Sequence, residues 1–355
     1  MNLRLNALRA KMAELSIDAI YVNSAENHLY MSGVDNPDGH LVITKEKAYV
    51  FADFRYIEAA RADAGEGFEV CLPGKPTLNE VVRDCGVKNF GYEDRRMTCS
   101  SLAGLKKTLD GMGVEFCPIG GIFTEIRSIK TPEEVASVEA AQRIAEGAFA
   151  HILKVINYNM TETEVAAELE YYMKKNGSEK PSFDTIAVSG TASARPHGVP
   201  RPVKLEKGFL TMDYGAVVNG YHSDMTRTIV IGKADEEITR LYNTVLAAQT
   251  AAIDAITEGA KNADMDKIAR DLIDNAGYKG YFGHSLGHGG GLEIHEQPGV
   301  SGGMGDTTLK AGQIITVEPG IYIEGKYGCR IEDMILITEG GKRNLTDCPK
   351  EMIEI

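Results

Sequence analysis

Two aspartates, Asp213 and Asp224, lie in the stretch "MDYGAVVNGYHSDMTRT", whose pattern is typical of two half-buried strands joined by a tight turn. Asn219-Gly220 between two strand-like runs indicates a two-residue type I′ hairpin turn. Such a turn fixes how the two strands pair. Both carboxylates are then expected on one face of the hairpin as diagonal neighbours, close enough to share a ligand.

The register of this hairpin predicts what surrounds each carboxylate. Asp213 is expected opposite Thr226, and Gly215 opposite Asp224, where the glycine would leave open space. Two carboxylates held this close repel each other and must share either a proton or a cation. We interpret the pair as a cation site. His222 is expected on the same face as Asp224, so it is an alternative ligand.

Three glycine-bracketed stretches downstream supply further groups that can bind a metal ion, namely "GHSLGHGGGLEIHEQP", "TVEPGIY" and "GCRIEDMILI". They contain His284, His288, His295, Glu318 and Glu332. A three-residue turn over residues 324–326 would place Glu318 directly opposite Glu332, as in the first hairpin. Pro319 is expected to bulge this strand.

One of these imidazoles together with the four carboxylates forms an oxygen-rich ligand set. Such a set suits Mn(II), Co(II), Fe(II) or Zn(II) in a two-metal site, rather than zinc in a thiolate site. Two ions about 3.5 to 4 Å apart can activate a water molecule and polarise a carbonyl together, so the set predicts a hydrolase. Each residue alone is a weak signal, because a single aspartate on a strand is usually a turn or edge residue. The prediction depends on their conjunction.

The composition is that of an ordinary globular protein, with 355 residues, 43% hydrophobic and 25% charged. A net charge of -13 argues against nucleic acid or an anionic membrane as the main partner. Neither a signal peptide nor a run of roughly 18 apolar residues is evident, so we expect a cytoplasmic protein. The six cysteines are scattered without a CxxC pair, which favours free thiols.

Residues 1 to about 125 alternate short strand and helix patterns, which predicts an α/β layer domain. The strand patterns are "DAIYV", "KAYVFAD" and "FEVC", and the helix patterns are "RYIEAARAD" and the stripe Leu5, Leu8, Met12 and Leu15.

A domain boundary is predicted near Arg127, because "KTPEEV" is a strong helix start. Thr131 is the expected N-cap, Pro132 occupies the first helical position and Glu134 completes a capping box. A second capping box at Thr161 opens the next helix. From about residue 181 the pattern is of strands and hairpins, with helices near residues 236–257 and 264–276.

In the order of its motifs the chain resembles metallopeptidase family M24, which has the pita-bread fold, and specifically its Xaa-Pro aminopeptidase and Xaa-Pro dipeptidase (prolidase) branch. "NHLYMSG" and "FADFRY" resemble the creatinase-type N-terminal domain, and "KTPEE", "FDTIAVSG", "PHGVP", "MDYGAVVNGYHSDMTRT", "GHGGGLEIHE", "VEPGIY" and "GCRIED" follow in the family's order. The resemblance implies an α/β creatinase-type domain over residues 1–126 and an α+β pita-bread catalytic domain over residues 127–355.

The resemblance also implies how the candidate ligands divide between two divalent ions, which we expect to be Mn(II) or Co(II), with Zn(II) or Fe(II) as alternatives. Asp213 would bind one ion, Asp224 and Glu332 would bridge, and His288 and Glu318 would bind the other. A homodimer is implied as well.

Two further histidines, His197 and His295, match those that face the scissile peptide in the family. An imidazole there can hydrogen-bond the developing oxyanion, and Glu318 can take a proton from the attacking water. His284 and Arg330 are the candidate substrate-binding residues. The implied activity is hydrolysis of the bond between an N-terminal residue and a following proline, with proline-containing peptides as partners.

The chain departs from the dipeptidase pattern at one informative position. Dipeptidases of this branch often carry an arginine directly after the "HExP" motif, where it can bind the substrate carboxylate, but this chain has Gly299. We therefore favour an Xaa-Pro aminopeptidase over a dipeptidase, although Arg195 or Arg330 could replace the missing anchor. Cys329 stands where an aliphatic residue is expected, a change that we expect to affect packing.

Other readings of the sequence predict different structures. "GHSLG" matches a nucleophile elbow with Ser285 as nucleophile, but glycine-broken segments on both sides argue against the required strand and helix. A non-enzymatic pita-bread protein is expected to have substituted ligands, and here all of them are present. The N-terminal domain argues against a minimal methionine aminopeptidase, and creatinase chemistry does not need this metal ligand set.

Overall fold

The computed structural model describes residues 2–305 and 307–355. The chain divides into two compact units, Met1–Ile126 and Arg127–Ile355. In chain order, the N-terminal unit contains α1 (Leu3–Glu14), β1 (Ala19–Val22), α2 (Ala25–Ser32), β2 (His40–Thr44), β3 (Ala48–Phe51), α3 (Ile57–Asp63), β4 (Glu69–Cys71), α4 (Leu78–Asp84), β5 (Asn89–Tyr92), α5 (Cys99–Thr108), β6 (Glu115–Pro118) and the start of α6 (Ile122–Ser128).

The N-terminal unit is built on one six-stranded sheet, in the order β4-β3-β2-β1-β5-β6. β2 runs antiparallel to its two neighbours, and the other adjacent strands pair in parallel. The helical stripe of α1 buries Leu5, Leu8 and Met12 as predicted. Leu15 was expected in the same stripe but is 53% exposed, because the helix ends one residue earlier.

The C-terminal unit continues with α7 (Pro132–Val155), α8 (Glu162–Lys175), β7 (Ile186–Ser189), β8 (Gly208–Tyr214), β9 (Val217–Val218), β10 (Tyr221–His222), β11 (Met225–Ile231), α9 (Glu236–Ala255), α10 (Asn262–Ile273), β12 (Gly287–Gly289), β13 (Glu296–Val300), β14 (Ile314–Val317), β15 (Gly320–Ile323), β16 (Tyr327–Arg330), β17 (Asp333–Thr338) and β18 (Gly341–Asn344). A 3₁₀ turn (Gly190–Ala194) follows β7, and a π turn (Asp274–Tyr278) follows α10.

Two helix pairs pack on two antiparallel sheets in this unit. The core beneath α7 and α8 joins residues such as Ala145 and Leu169 to Leu210 and Ile229 of the sheet β11-β8-β7. The core beneath α9 and α10 includes residues of the sheet β13-β12-β14-β17-β18, such as Ile335. In both halves, packing of an amphipathic helix face fixes the strands that carry the candidate residues.

The start of α7 has the capping box predicted from the sequence. The Thr131 hydroxyl accepts a hydrogen bond from the Glu134 backbone N–H (3.3 Å), and the Glu134 carboxylate accepts from the Thr131 backbone N–H (2.8 Å). Pro132 lies in the first turn, where a missing N–H costs no hydrogen bond.

The first predicted hairpin is confirmed. Val218 pairs with Tyr221, and Asp213 lies opposite Thr226. Both central residues of the turn have positive φ, 53° at Asn219 and 76° at Gly220, as a type I′ turn requires.

The expectation of open space at Gly215 is wrong. A Cβ added to Gly215 would lie 1.9 Å from the backbone oxygen of Ser223. Glycine is therefore needed here because the two backbones approach closely, not because a ligand occupies the space.

The second hairpin also has the predicted register. Val317 pairs with Asp333 on one side, and Gly320 pairs with Arg330 on the other. The same register places Glu318 opposite Glu332 between the two ladders. The bulge expected at Pro319 is absent, because the two pairs are three positions apart on both strands. The proline only interrupts the strand, since β14 ends at Val317 and β15 begins at Gly320. In the described parts of the chain, no helix has both the length and the apolar character needed to cross a membrane.

Candidate active site

A cavity of about 630 Å³ in the C-terminal unit brings the candidate site residues together. Its wall includes His197, Asp213, Asp224, His284, His288, His295, Glu318, Arg330 and Glu332. Most of these lie where a strand begins or ends, so short segments of several strands converge on one point.

The centre of the cavity wall is a group of acids around one histidine. Potential ligand atoms of Asp224, His288 and Glu332 lie within 4.8 Å of one another. His288 Nε2 is 3.6 Å from Asp224 Oδ2 and 3.4 Å from Glu318 Oε1. Oxygen and imidazole nitrogen atoms in this arrangement are donors that a divalent cation of the Mn(II) to Zn(II) series can accept.

Three carboxylate oxygens in this group have no hydrogen-bond partner in the described part of the chain. They are Asp213 Oδ1, Asp224 Oδ1 and Glu332 Oε1, and all three are buried. A buried carboxylate oxygen without a partner is costly, and a bound ion is one of its few explanations. The residues therefore fit a divalent metal ion by both donor type and unused binding capacity.

The pKa values of the acids reflect the same crowding. Burial raises the pKa of Glu318 to about 8. Burial, then repulsion from Asp213 and Glu318, raises the pKa of Asp224 well above its usual range. Burial and repulsion from Asp224 have the same effect on the pKa of Glu332. Buried carboxylates this close together need either protons or cations to compensate their charge. This agrees with the interpretation of the first hairpin as part of a cation site.

His288 is suited to bind a metal ion in its neutral form. Burial lowers its pKa to about 4. Neutral imidazole is the form that binds metals. Its ring centroid lies 4.2 Å from that of His295, whose side chain is exposed to the cavity. His197 is exposed at the same wall.

Arg330 pairs with Asp213 within the protein. Its Nη2 donates to Asp213 Oδ2 (2.5 Å), its Nε to Thr226 Oγ1 (3.0 Å) and its Nη1 to the Tyr322 hydroxyl (2.7 Å). Only 3% of Arg330 is exposed. Arg330 therefore holds a candidate ligand, and these bonds leave little of its donor capacity for a substrate.

Tyr322 is a residue of the site that the sequence reasoning missed. Its hydroxyl lies 3.0 Å from His284 Nε2 as well as 2.7 Å from Arg330. The signal was present, because Tyr322 ends the "VEPGIY" motif. The other ring nitrogen of His284 is 2.8 Å from the Ser285 backbone oxygen, so both nitrogens are engaged.

Two alternatives from the sequence do not fit the geometry. His222 Nδ1 lies 2.9 Å from Ser182 Oγ and 3.0 Å from Ser182 O, so its ring is committed away from the acids. Ser285 follows an irregular segment and precedes β12 rather than a helix. The nucleophile-elbow hypothesis is therefore excluded.

Comparisons with known proteins show which family the chain belongs to. Metallopeptidase family M24 matches residues 136–339, and the creatinase/prolidase N-terminal domain matches residues 4–129. The chain is 39% identical over 355 residues to an Xaa-Pro dipeptidase of Pyrococcus furiosus, covering 99% of this chain and 100% of the relative.

Two solved structures extend the comparison. The Xaa-Pro dipeptidase from Bacillus anthracis is 40% identical, with a TM-score of 0.94 over 99% of both chains. An X-Pro aminopeptidase from Thermotoga maritima is 33% identical, with a TM-score of 0.90 over 98% of this chain and 100% of that one.

The chain therefore belongs to metallopeptidase family M24. The predicted creatinase-type N-terminal domain and pita-bread catalytic domain are confirmed, as is the prediction of a metal-dependent hydrolase. The homodimer and the cytoplasmic location stay predictions.

The crowded acids predict how the stability of the metal-free protein depends on pH. The pKa of Glu318 is about 8 in the folded protein and about 4.3 in an unfolded chain. Between these values the folded state keeps a proton that the unfolded state has lost, so the free energy of unfolding falls as pH rises. We expect the Tm in excess chelator to fall from about pH 5 to about pH 8.

Thermal unfolding of the wild type and of Glu318→Gln across this range checks the prediction. The variant cannot titrate at this position, so its Tm is expected to fall less. An equal fall in both proteins would show that Glu318 does not carry the effect.

Proposed function

We propose that the protein is an Xaa-Pro peptidase with two divalent metal ions, which hydrolyses the bond between an N-terminal residue and a following proline. The observation that carries this proposal is the buried group of acids with unpartnered oxygens beside one neutral imidazole. The names of the two relatives with solved structures, an Xaa-Pro dipeptidase and an X-Pro aminopeptidase, support the choice of substrate.

Asp213, Asp224, His288, Glu318 and Glu332 would hold the two ions. A pair of divalent ions supplies Lewis-acid chemistry, which lowers the pKa of water and polarises a carbonyl. The carboxylate-rich set favours Mn(II) or Co(II), with Zn(II) or Fe(II) as alternatives.

Neighbouring side chains orient these acids. The Thr226 hydroxyl donates to Glu332 Oε2 (2.7 Å), and the Thr316 hydroxyl donates to Glu318 Oε1 (3.1 Å). Each bond leaves the second oxygen of its carboxylate for another partner. Glu318 is the general base in this proposal, because a carboxylate at this wall of the cavity can accept a proton from the attacking water.

Two exposed imidazoles provide hydrogen-bond donors on the substrate side. His197 and His295 both line the cavity, and the N–H of an imidazole there can stabilise the oxyanion that develops on the scissile carbonyl. The apolar part of the wall, which includes Phe183, Ile186 and Ile294, suits uncharged side chains of the substrate.

The first test is whether activity follows the metal. After chelation and dialysis, the protein is expected to lose activity on an Xaa-Pro peptide, and Mn(II) or Co(II) is expected to restore it. The carboxylate-rich ligand set is the reason for this choice of ions. Release of the N-terminal residue from the Xaa-Pro peptide is measured, and an Xaa-Ala peptide is the control substrate. Full turnover by metal-free protein would contradict the two-metal proposal.

A pair of variants on one hairpin tests the ligand assignment. Asp224→Asn is expected to lower bound metal and activity together, since it removes the charge of a residue that would hold the ions. His222→Ala is expected to keep the metal, because its ring bonds to Ser182 instead. Metal analysis of both purified proteins decides between them. Loss of metal in His222→Ala with retention in Asp224→Asn would reverse the assignment.

The preferred substrate length depends on what binds the carboxylate of the proline. Among the described residues that line the cavity, Arg330 is the only lysine or arginine, and it is engaged with Asp213 and Tyr322. At Gly299, a Cβ would meet Met304 Sδ at 3.3 Å, so an apolar side chain occupies the nearby space. We therefore favour an Xaa-Pro aminopeptidase over a dipeptidase.

This preference predicts that Xaa-Pro-Yaa peptides are cleaved with a kcat/KM at least equal to that of Xaa-Pro dipeptides. A charge-assisted hydrogen bond contributes about 1.5 to 3 kcal/mol, so Gly299→Arg is expected to shift the ratio toward dipeptides by roughly 10- to 100-fold. Gly299→Ala is the matched control. Strong preference of the wild type for dipeptides would mean that another anchor exists and that the enzyme is a dipeptidase.

A further inference from the structure

Two buried cations lie at the start of the catalytic unit and bind the segment that carries His295. The side chains of Arg127 and Lys130 are only 5% and 1% exposed. Arg127 Nη2 donates to Glu296 Oε1, and Lys130 Nζ donates to Glu296 Oε2 (3.2 Å). Arg127 Nη2 also lies 3.1 Å from Glu293 Oε2. We call Arg127 and Lys130 the cation clamp, and residues 291–296 the His295 loop.

The Glu296 carboxylate also binds the backbone of the His295 loop. Its Oε1 accepts a hydrogen bond from the Glu293 backbone N–H (3.0 Å). The carboxylate packs so tightly under the loop that a Cβ on Gly291 would lie 2.7 Å from Glu296 Oε2. The path of the loop is therefore set by a carboxylate that is itself fixed by two cations.

The other side of the His295 loop faces the proposed active site. Ile294 and His295 line the cavity, whereas the Glu296 side chain is 4% exposed and points to the clamp. Successive side chains of an extended chain point in opposite directions. The position of Glu296 therefore determines where the imidazole of His295 stands, one residue earlier.

The clamp itself has a rigid base. The Lys130 backbone N–H donates to Gly312 O (2.8 Å). Thr131, the next residue, is the N-cap of α7. The backbone that carries the Lys130 side chain is therefore anchored at residue 130 and at the next residue.

A stabilising role alone explains this cluster poorly. Burial lowers the pKa of Lys130, and Glu296 counteracts that effect, so desolvation offsets much of the attraction. Replacing a buried ion pair by apolar residues is often neutral or stabilising, whereas ionic partners can specify one geometry.

We propose that Arg127 and Lys130 are positioning residues, which hold Glu296 so that His295 faces the substrate. The inference rests on the proposed function, because His295 is the oxyanion donor in that proposal. Misplacing a catalytic group by about 1 Å can lower the rate about 100-fold. Lys130→Met is expected to lower kcat by about 10- to 100-fold. The bound metal is expected to be retained, because His288, the proposed ligand whose ring contacts His295, is held on β12 by the hydrogen bond from its backbone N–H to the Thr316 hydroxyl (3.0 Å).

A double-mutant cycle distinguishes positioning from general support. If the clamp acts through His295, Lys130→Met is expected to change kcat by less than about threefold in a His295→Ala background. Lys130→Arg keeps the charge and is the matched control, expected to retain most of the wild-type kcat. The same loss in both backgrounds, or loss of metal in Lys130→Met, would overturn the inference.

Two further measurements keep the test decisive. If Lys130→Met does not fold, Glu296→Gln enters the same cycle, because it weakens both ion pairs while keeping the side-chain shape. Histidine ring NMR of the metal-free protein follows His295 without any substrate, with His295→Ala assigning the signal. Lys130→Met is expected to move the His295 ring signal and leave that of His284 in place. An unchanged His295 signal in Lys130→Met would contradict the positioning role of the cation clamp. If the wild type is inactive but Lys130→Met still moves the His295 signal, the proposed function alone is contradicted.

Discussion

The catalytic unit depends on one electrostatic constraint, the confinement of several carboxylates within a single buried cavity. Burial raises the pKa values of Asp224, Glu318 and Glu332, and mutual repulsion adds to the effect for Asp224 and Glu332. Such a group is unfavourable unless protons or cations compensate it. The strands, hairpins and surrounding hydrogen bonds are best understood as the framework that keeps these acids together despite their repulsion.

Two hairpins provide that framework. The type I′ turn at Asn219-Gly220 determines which residues of β8 and β11 face each other, and the close backbone approach at Gly215 maintains this register. The second hairpin places Glu318 and Glu332 opposite each other, where a proline ends one strand before the next begins. Helix pairs packed behind the two sheets fix the hairpins, so the acids have little freedom to move apart.

Local signals in the sequence predicted the parts of this arrangement that depend on local physics. The Asn-Gly turn, the capping boxes and the register of both hairpins follow from short-range backbone preferences. The pairing of Arg330 with Asp213, the place of Tyr322 and the cation clamp under His295 depend on residues more than 100 positions apart or on different elements. Their contacts arise only when helices and sheets pack, so spacing along the chain could not predict them.

Glu332 and Asp333 are adjacent in the chain but have opposite electrostatic environments, because successive side chains of a strand point to opposite faces. Glu332 faces the cavity with a raised pKa, whereas Asp333 faces the other side. Burial acts to raise the pKa of Asp333, but Arg227 and Lys350 outweigh it and hold that pKa below its usual range. The side chains of Arg227 and Lys350 thus neutralise Asp333, an acid that lies outside the candidate ligand set. Among the candidate ligands, Asp213 is paired with Arg330 through Oδ2, yet Asp213, like Asp224 and Glu332, keeps one oxygen available for a metal ion.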